Sequence, residues 1–165
     1  MWSLQNMDDF KKLDTSKLFA VEIYNHGTSS TGYKDTNENL YDDFLRLGHK
    51  VYCTATDDNH NGELIGTPGF DSLGGFVMIK ASALTYENIF NALKLGNFYA
   101  SNGPEINEIY IEDEQLVVKT SPAVKVTLNT PVRYAKCVYP QEVGGVLNEA
   151  RFELVLVTQS SFVSV

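Results

Sequence analysis

The chain has 165 residues, of which 43% are hydrophobic and 12% aromatic, and its formal net charge is −8. This composition supports one or two domains with a buried core and argues against disorder. Because the charge is acidic and the basic residues form no cluster, neither a nucleic-acid surface nor an anionic-membrane surface is expected. The first ten residues show no secretory signal, and no apolar run approaches membrane-spanning length.

The first part of the chain alternates between helix-like and strand-like patterns of apolar residues. In chain order these patterns predict a helix over Asn6–Leu13, a strand over Leu18–Tyr24, a loop over Gly27–Thr36, a helix over Asn37–Leu47 and a strand over Val51–Thr56. Thr36 is the predicted N-cap of the second helix, and Gly48 is its predicted end. A strand, a helix and a strand with short connections predict a βαβ unit with parallel strands.

Polar side chains follow both strands of this unit. They are Asn25 and His26 after the first strand, and Asp57, Asp58, Asn59 and His60 after the second. Parallel strands end at one rim, which is where α/β folds place their chemistry. Asp58 and His60 are two residues apart, so in extended backbone both could reach one metal ion or substrate group. The alternative is a polar turn in which Asp57 and Asn59 hydrogen-bond to local backbone.

A long polar loop and a second helix follow the predicted rim. The predicted segments are a site-bordering loop over Gly62–Gly74, a strand over Gly75–Lys80, a helix over Tyr86–Leu95 that Gly96 ends, and a short extended piece over Asn97–Ala100. Thr85 is the predicted N-cap of this helix, with Leu84 packed against Ile89. Cys53 and Cys137 are predicted to be reduced core residues, which favours an intracellular, cytoplasmic setting.

From Glu105 onward the helical period disappears and short alternating strands take over. They are predicted over Ile106–Glu112, Gln115–Thr120, Val124–Leu128, Arg133–Tyr139 and Arg151–Thr158. This pattern is typical of a small antiparallel sandwich. We therefore predict an α/β domain over residues 1–104 and a β-sandwich domain over residues 105–165.

Several segments resemble the later half of a PHP (polymerase and histidinol phosphatase) domain, over most of residues 1–106. They are Val21-Glu22-Ile23-Tyr24-Asn25, Leu45-Arg46-Leu47-Gly48, Thr56-Asp57-Asp58-Asn59-His60, Gly75-Phe76-Val77-Met78-Ile79-Lys80-Ala81, Leu84-Thr85 and Asn97-Phe98-Tyr99-Ala100-Ser101-Asn102-Gly103-Pro104-Glu105-Ile106. The subgroup that the chain most resembles is the bacterial metal-dependent phosphoesterases with an added C-terminal β-sandwich.

The resemblance implies the last strands of a distorted β/α barrel with a metal cluster at its rim. Asp58 and His60 match the family's last Asp-x-His ligand pair, whereas Glu22, Asn25 and Asp57 match positions near the site. The implied cofactor is a divalent metal (Mn, Zn or Fe), whose bound hydroxide attacks phosphorus in a small phosphorylated substrate. His26 matches no ligand and is expected to be exposed or locally bonded, and His49 to lie at the helix C-terminus.

The chain departs from the family pattern because the earlier His-x-His pair and the other histidine ligands do not occur in it. It is therefore expected to be a C-terminal segment, and to be inactive alone, since a catalytic metal needs three or more protein ligands. The alternatives are a non-catalytic binding or scaffolding protein acting through the sandwich, and a different hydrolase using Asp57, Asp58 and His60. No nucleophile motif or phosphate loop supports the last of these.

An incomplete barrel also predicts self-association. A fragment with only the last strands leaves an open edge at Leu18–Tyr24, and open edges favour pairing between copies. We expect a homodimer or larger assembly through the half-barrel, with the sandwich mostly outside the interface. Sedimentation would detect it, and a monomer at concentrations on the order of tens of micromolar would contradict it.

Overall fold

A computed structural model describes residues 7–10, 18–130 and 135–154, and the backbone of residues 162–164. Within those residues the chain has four helices and ten strands, arranged in four small sheets. The fold is therefore mixed and rich in β-structure, and the described residues contain no closed barrel. The chain divides into two compact units, Met1–Gly103 and Pro104–Val165. Each unit is described by itself below.

The first unit contains two two-stranded sheets and the helices. Its elements are α1 (Met7–Phe10), β1 (Ala20–Asn25), α2 (His26–Ser30), α3 (Glu38–Arg46), β2 (Tyr52–Thr56), β3 (Phe76–Ile79), α4 (Tyr86–Lys94) and β4 (Phe98–Ser101). Strands β1 and β2 are parallel, which confirms the predicted βαβ pairing, and β3 pairs antiparallel with β4. The Tyr52 and Phe98 rings meet edge to face at 5.6 Å, so β2 lies beside β4.

Helix α2 occupies a segment that was predicted to be a loop. The Asn25 side chain starts it, because its Oδ1 accepts a hydrogen bond from the Thr28 backbone N–H at 2.8 Å. The hydroxyls of Thr28, Ser30 and Thr31 then donate to backbone carbonyls of the same turn. Small polar residues disfavour long helices, but here they complete a single turn by local bonding.

The start of α3 also differs from the prediction. The N-cap is Asn37 rather than Thr36, and Asn37 makes no side-chain capping bond. Its backbone N–H instead donates to the Ile23 carbonyl at 2.9 Å. Pairing with β1 therefore fixes where the helix begins. Of the first predicted helix, Asn6–Leu13, the structure describes Met7–Phe10, and the rest of the range lies outside the described residues.

Helices α3 and α4 end in the same way, at the glycines that the sequence predicts. Gly48 has φ +85° and Gly96 has φ +73°, the left-handed region that a side chain disfavours. Beyond them the backbone N–H groups of His49 and Asn97 reach back to the carbonyls of Phe44 and Ala92. Both helices thus end in a Schellman motif, which satisfies their last carbonyl groups.

Two predictions about the start of α4 have different outcomes. The Thr85 hydroxyl accepts from the Asn88 backbone N–H, which confirms the predicted N-cap. The predicted contact of Leu84 with Ile89 is wrong, because Leu84 is 93% exposed. Hydrogen bonds fix this end of the helix instead, since the Asn88 side-chain amide also donates to the Thr85 hydroxyl at 2.6 Å.

The edge of β1 is less open than predicted. The Asn25 N–H donates to the Asp35 carbonyl at 2.9 Å, and Tyr24 forms an antiparallel bridge with Thr36. The prediction of a fully unpaired edge over Leu18–Tyr24 is therefore wrong for its C-terminal half. Self-association through the half-barrel stays a prediction.

The second unit is a sandwich of two three-stranded antiparallel sheets. Its strands are β5 (Ile106–Glu112), β6 (Gln115–Ala123), β7 (Val126–Asn129), β8 (Ala135–Val138), β9 (Leu147–Glu153) and β10 (Phe162–Ser164). The sheet orders are β5-β6-β9 and β10-β7-β8. Buried side chains from both sheets, including Val118, Leu128 and Phe152, form one core.

Two strands of this unit begin at other residues than the alternation of apolar and polar residues predicted. Strand β7 starts at Val126 because Val124 is 73% exposed, and β9 starts at Leu147, four residues before the predicted Arg151. The predicted ends at 133–134 and 155–158 lie outside the described residues. Cys53 and Cys137 are free thiols, but the predicted core position of Cys137 is wrong because that residue is exposed.

Candidate functional site

The parallel strands β1 and β2 end side by side, with Asn25 opposite Thr56. The Asn25 Nδ2 donates to Oε2 of Glu22 at 3.3 Å and to Oδ2 of Asp58 at 3.2 Å. The Thr56 hydroxyl donates to the other carboxylate oxygen of Glu22. One amide therefore joins two exposed carboxylates at the rim, as the parallel topology led us to expect.

Asp57 is adjacent to Asp58 but has a different role. Its Oδ1 accepts the backbone N–H groups of Gly74 and Gly75 at 2.8 Å each, and its Oδ2 accepts that of Leu73 at 2.7 Å. Its own carbonyl accepts the Gly27 N–H at 2.8 Å. Asp57 thus holds backbone 16 to 18 residues away, rather than the local backbone that the alternative interpretation of the sequence predicted.

Asp71 makes the complementary contact from the other end of the loop. Its Oδ2 accepts the His60 backbone N–H at 2.7 Å, and its Oδ1 accepts the Asn59 side-chain amide at 3.2 Å. Asn59 Oδ1 in turn accepts the Asn61 N–H at 2.9 Å. Two carboxylates therefore join the segments 57–61 and 71–75. Asp57 in the first segment binds the second, and Asp71 in the second segment binds the first. We call this pair of contacts the Asp57–Asp71 clasp.

The clasped loop holds three non-glycine residues in the left-handed region. They are Asp58 with φ +49°, Asn61 with φ +53° and Leu73 with φ +65°. Side chains make this region costly, so such residues persist where their surroundings hold them. The extended backbone that we assumed between Asp58 and His60 is therefore wrong, because the chain turns at Asp58 itself.

His26 belongs to the same rim, packed against the loop. Its Nε2 lies 3.2 Å from the Phe70 carbonyl, which can only accept a hydrogen bond, so Nε2 carries a proton. In the neutral ring Nδ1 then accepts from the Tyr24 hydroxyl at 3.4 Å. A Cβ added at Gly74 would lie 2.2 Å from this ring. His26 is a packing residue that contacts its neighbour Tyr24, as predicted, and also Phe70, which is 44 residues away.

The remaining side chains of the 57–60 segment are those of Asp58 and His60, and both are exposed. One oxygen of Asp58 accepts from Asn25, and the His60 imidazole has no hydrogen-bond partner among the described residues. Across the part of the chain that the structure describes, no three His, Cys, Asp or Glu side chains converge closely enough to hold a metal ion. The segment thus offers one carboxylate and one imidazole.

A small polar pocket lies beside Asn25. Its walls include Glu22, Asn25, Thr28 and Lys34. Lys34 is the only cation among the described residues that line it, and Thr28 is buried, with its hydroxyl bonded to the Asn25 carbonyl. The pocket therefore combines the carboxylates of Glu22 and Asp35, the amides of Asn25 and Asn37 and the ammonium group of Lys34 next to the rim.

Sequence reasoning missed Asp71. The residue lies in a glycine-rich loop, eleven positions from the His60 amide that it binds. An aspartate in such a loop is common, and nothing in the local pattern separates it from a solvent-facing turn residue. Only the folded loop shows that it is 7% exposed and bonded to the rim.

Both clasp carboxyls have a pKa below their ordinary value. For Asp57, burial acts to raise the pKa, but the N–H groups of Gly75, Leu73 and Gly74 together outweigh it. For Asp71, the His60 N–H is the main cause of the lowered pKa, with a further contribution from Asn59. Each donor stabilises the carboxylate relative to the protonated acid.

The clasp is expected to weaken in acid. Since both pKa values are lower in the folded chain, the stabilisation is complete above the unfolded-state pKa of about 3.9 and is lost as pH falls through the folded-state values. The melting temperature of an Asp57→Asn/Asp71→Asn variant should therefore lie below wild type at neutral pH. The gap should narrow as pH falls below about 4, where both carboxyls start to protonate in the unfolded chain, and close as pH passes the lower folded-state values. A gap that is constant with pH would contradict this assignment.

Comparison with family models, curated proteins and solved structures finds no match to this chain. Within the described residues, every helix is too short or too polar to cross a membrane.

Proposed function

We propose that this chain is a C-terminal portion of a PHP-type metal-dependent phosphoesterase, with its first unit forming part of a distorted β/α barrel. The observation that carries the proposal is the joining of Glu22 and Asp58 through Asn25 where two parallel strands end. His60 follows on the same clasped segment with its imidazole exposed. Asp58 and His60 are the two residues that the resemblance implies as metal ligands.

The donor chemistry suits the proposed metals only in part. A carboxylate oxygen and an imidazole nitrogen are ligands for manganese, zinc and iron. Asn25 occupies one oxygen of Asp58 and thereby orients the other, much as partners of metal ligands do. Two ligands are fewer than the three or more that a catalytic metal requires. In the proposal, the other ligands come from outside this chain, and no reaction step is assigned to these residues alone.

The proposed substrate is a small phosphorylated molecule. The pocket beside Asn25 brings Lys34 to the rim, and an ammonium group attracts the phosphoryl oxygens of such a substrate. The carboxylates of Glu22 and Asp35, which also line the pocket, disfavour binding of an anion until a cation is present. The charges of the rim therefore favour a metal ion bound before or together with the substrate.

A binding role for the β-sandwich has weaker support. An exposed aromatic patch on one sheet would favour a glycan or protein partner. Among the described residues of the second unit, Tyr139 is the only exposed aromatic, and the outer face of β5-β6-β9 carries ion pairs such as Lys119–Glu108 and Arg151–Glu112. We therefore favour the sandwich as an added domain of the proposed phosphoesterase over a separate binding role.

The chain alone is expected to show no phosphoesterase activity. Assays with an aryl phosphate and added manganese, zinc or iron should give the background rate, because Asp58 and His60 can bind a cation but are too few ligands to form a catalytic metal site. Metal-dependent turnover that Asp58→Ala abolishes and Asp113→Ala leaves unchanged would show that this chain carries a complete site. A longer polypeptide that supplies further histidines should in turn be active, and Asp58→Ala should inactivate it.

A further inference from the structure

We propose that Asp57 and Asp71 are positioning residues that hold Asp58 and His60 in one conformation before any ligand binds. The assignment of Asp58 and His60 as ligand-binding residues rests on the proposed function. The positioning itself rests on the geometry of the clasp and is tested separately below.

The two carboxylates make reciprocal contacts across the loop. Asp57 precedes Asp58 and binds the backbone of 73–75, whereas Asp71 lies near the far end of the loop and binds His60 and Asn59. Both oxygens of both carboxylates are used. Asp58 and His60 therefore lie in a segment whose backbone the two carboxylates fix, and the side chains of Asp58 and His60 take no part in the clasp itself.

Asp58 has φ +49°, in the left-handed region that aspartate enters more readily than most non-glycine residues, and the clasp fixes the chain on both sides of this turn. In this conformation its carboxylate meets the Asn25 amide at 3.2 Å. If the clasp were released, Asp58 would relax toward extended backbone and leave Asn25.

The consequence is a preorganised ligand pair. When a binding loop is correctly folded only part of the time, its apparent affinity for the ligand is the intrinsic affinity multiplied by that fraction. A loop held by charge-assisted hydrogen bonds avoids that loss. Weakening the clasp should therefore reduce cation binding at the rim without removing any ligand atom.

The variants are Asp57→Asn and Asp71→Asn, which keep the shape of the side chain. Each carboxylate accepts N–H groups on both of its oxygens, so an amide must place its NH₂ against one of these donors. The matched control is Asp113→Asn, which removes one negative charge from an exposed turn of the second unit. Asp113 has φ +48°, a conformation that asparagine tolerates well.

The first measurement needs no metal. Amide exchange at 73–75 in Asp57→Asn, and at His60 in Asp71→Asn, should accelerate about tenfold or more, as the loss of a hydrogen bond to a charged group predicts. The NMR signal of the Asn25 side-chain amide should move in both variants toward its position in Asp58→Ala, since Asn25 touches neither clasp carboxylate. An unmoved Asn25 signal would overturn the positioning role, and so would faster exchange spread evenly over the whole first unit.

The second measurement uses manganese alone. Paramagnetic broadening of the Asp58 and His60 signals should require several-fold more Mn²⁺ in the clasp variants than in wild type or Asp113→Asn, in proportion to the lost preorganisation. If all four proteins showed the same broadening at the same Mn²⁺ concentration, the clasp would have no effect on cation binding, and the proposal would be overturned. If Mn²⁺ leaves Asp58 and His60 unaffected in wild type while the Asn25 signal moves as expected, the proposed function fails and the positioning assignment stands.

Discussion

Replacing Phe44 by alanine should destabilise the first unit by about 3–5 kcal/mol, the largest effect expected from a single substitution. Phe44 is 1% exposed and is the largest fully buried side chain among the described residues of this unit. Its ring meets those of Phe10 at 5.3 Å and His49 at 5.5 Å, both edge to face. Truncation removes these contacts and leaves a cavity between α3 and its neighbours. Since small domains have only about 5–15 kcal/mol of stability, much of the unit's reserve would be lost.

The control is Phe19→Ala, which deletes the same side chain at a position that is 52% exposed. Its expected cost is below about 1 kcal/mol, because a partly solvated ring leaves no cavity behind. Urea unfolding followed by a probe in each unit would measure both variants and show whether the second unit is affected. Similar losses of unfolding free energy for Phe19→Ala and Phe44→Ala would mean that Phe44 is not part of the buried core.

Gly75→Ala should have the second-largest effect, because the new methyl group would meet backbone rather than a movable side chain. Its Cβ would lie 2.3 Å from the Thr56 carbonyl oxygen, at the end of β2. The same residue donates its N–H to Asp57 at 2.8 Å, so any shift that relieves the clash also disturbs the clasp. We expect a loss of about 1–3 kcal/mol or more, as for other overpacked sites.

Gly62→Ala is the matched control for this variant. No atom lies within 4 Å of a Cβ added at Gly62, so its stability should stay within about 0.5 kcal/mol of wild type. Thermal unfolding compares the two alanines directly. A Gly75→Ala protein as stable as Gly62→Ala would contradict the close approach of β3 to β2.

The parts of the fold that the sequence predicts well are those with a local cause. Thr85 caps α4 through the N–H three residues later, and Gly48 and Gly96 end their helices because their own φ is positive. The parallel pairing of β1 with β2 follows from the short connections and the apolar patterns on either side of a helix. The rim position of Asp58 beside Asn25 follows in turn from that pairing.

The rest depends on contacts between residues far apart in sequence. Nothing near Asp57 indicates that it binds the backbone of 73–75, and nothing near Asp71 indicates that it holds His60. The left-handed turn at Asp58 results from both of these contacts. No residue near Asp58 in the sequence indicates this turn, which is why the Asp-x-His pair was assumed to be extended. Helix α2 likewise depends on a cap from Asn25 and on hydroxyl-to-carbonyl bonds that composition alone does not specify.

The loop between the two carboxylate contacts is free to change its length. Leu64 and Ile65 are 79% and 87% exposed, and a Cβ added at Gly66 would meet nothing within 4 Å. Added residues cost little closure entropy once both ends of a loop are already fixed. Residues 62–66 are therefore a natural insertion point for an epitope or a reporter. In evolution, the same freedom would let homologous proteins vary what surrounds the rim while Asp58 and His60 stay in place.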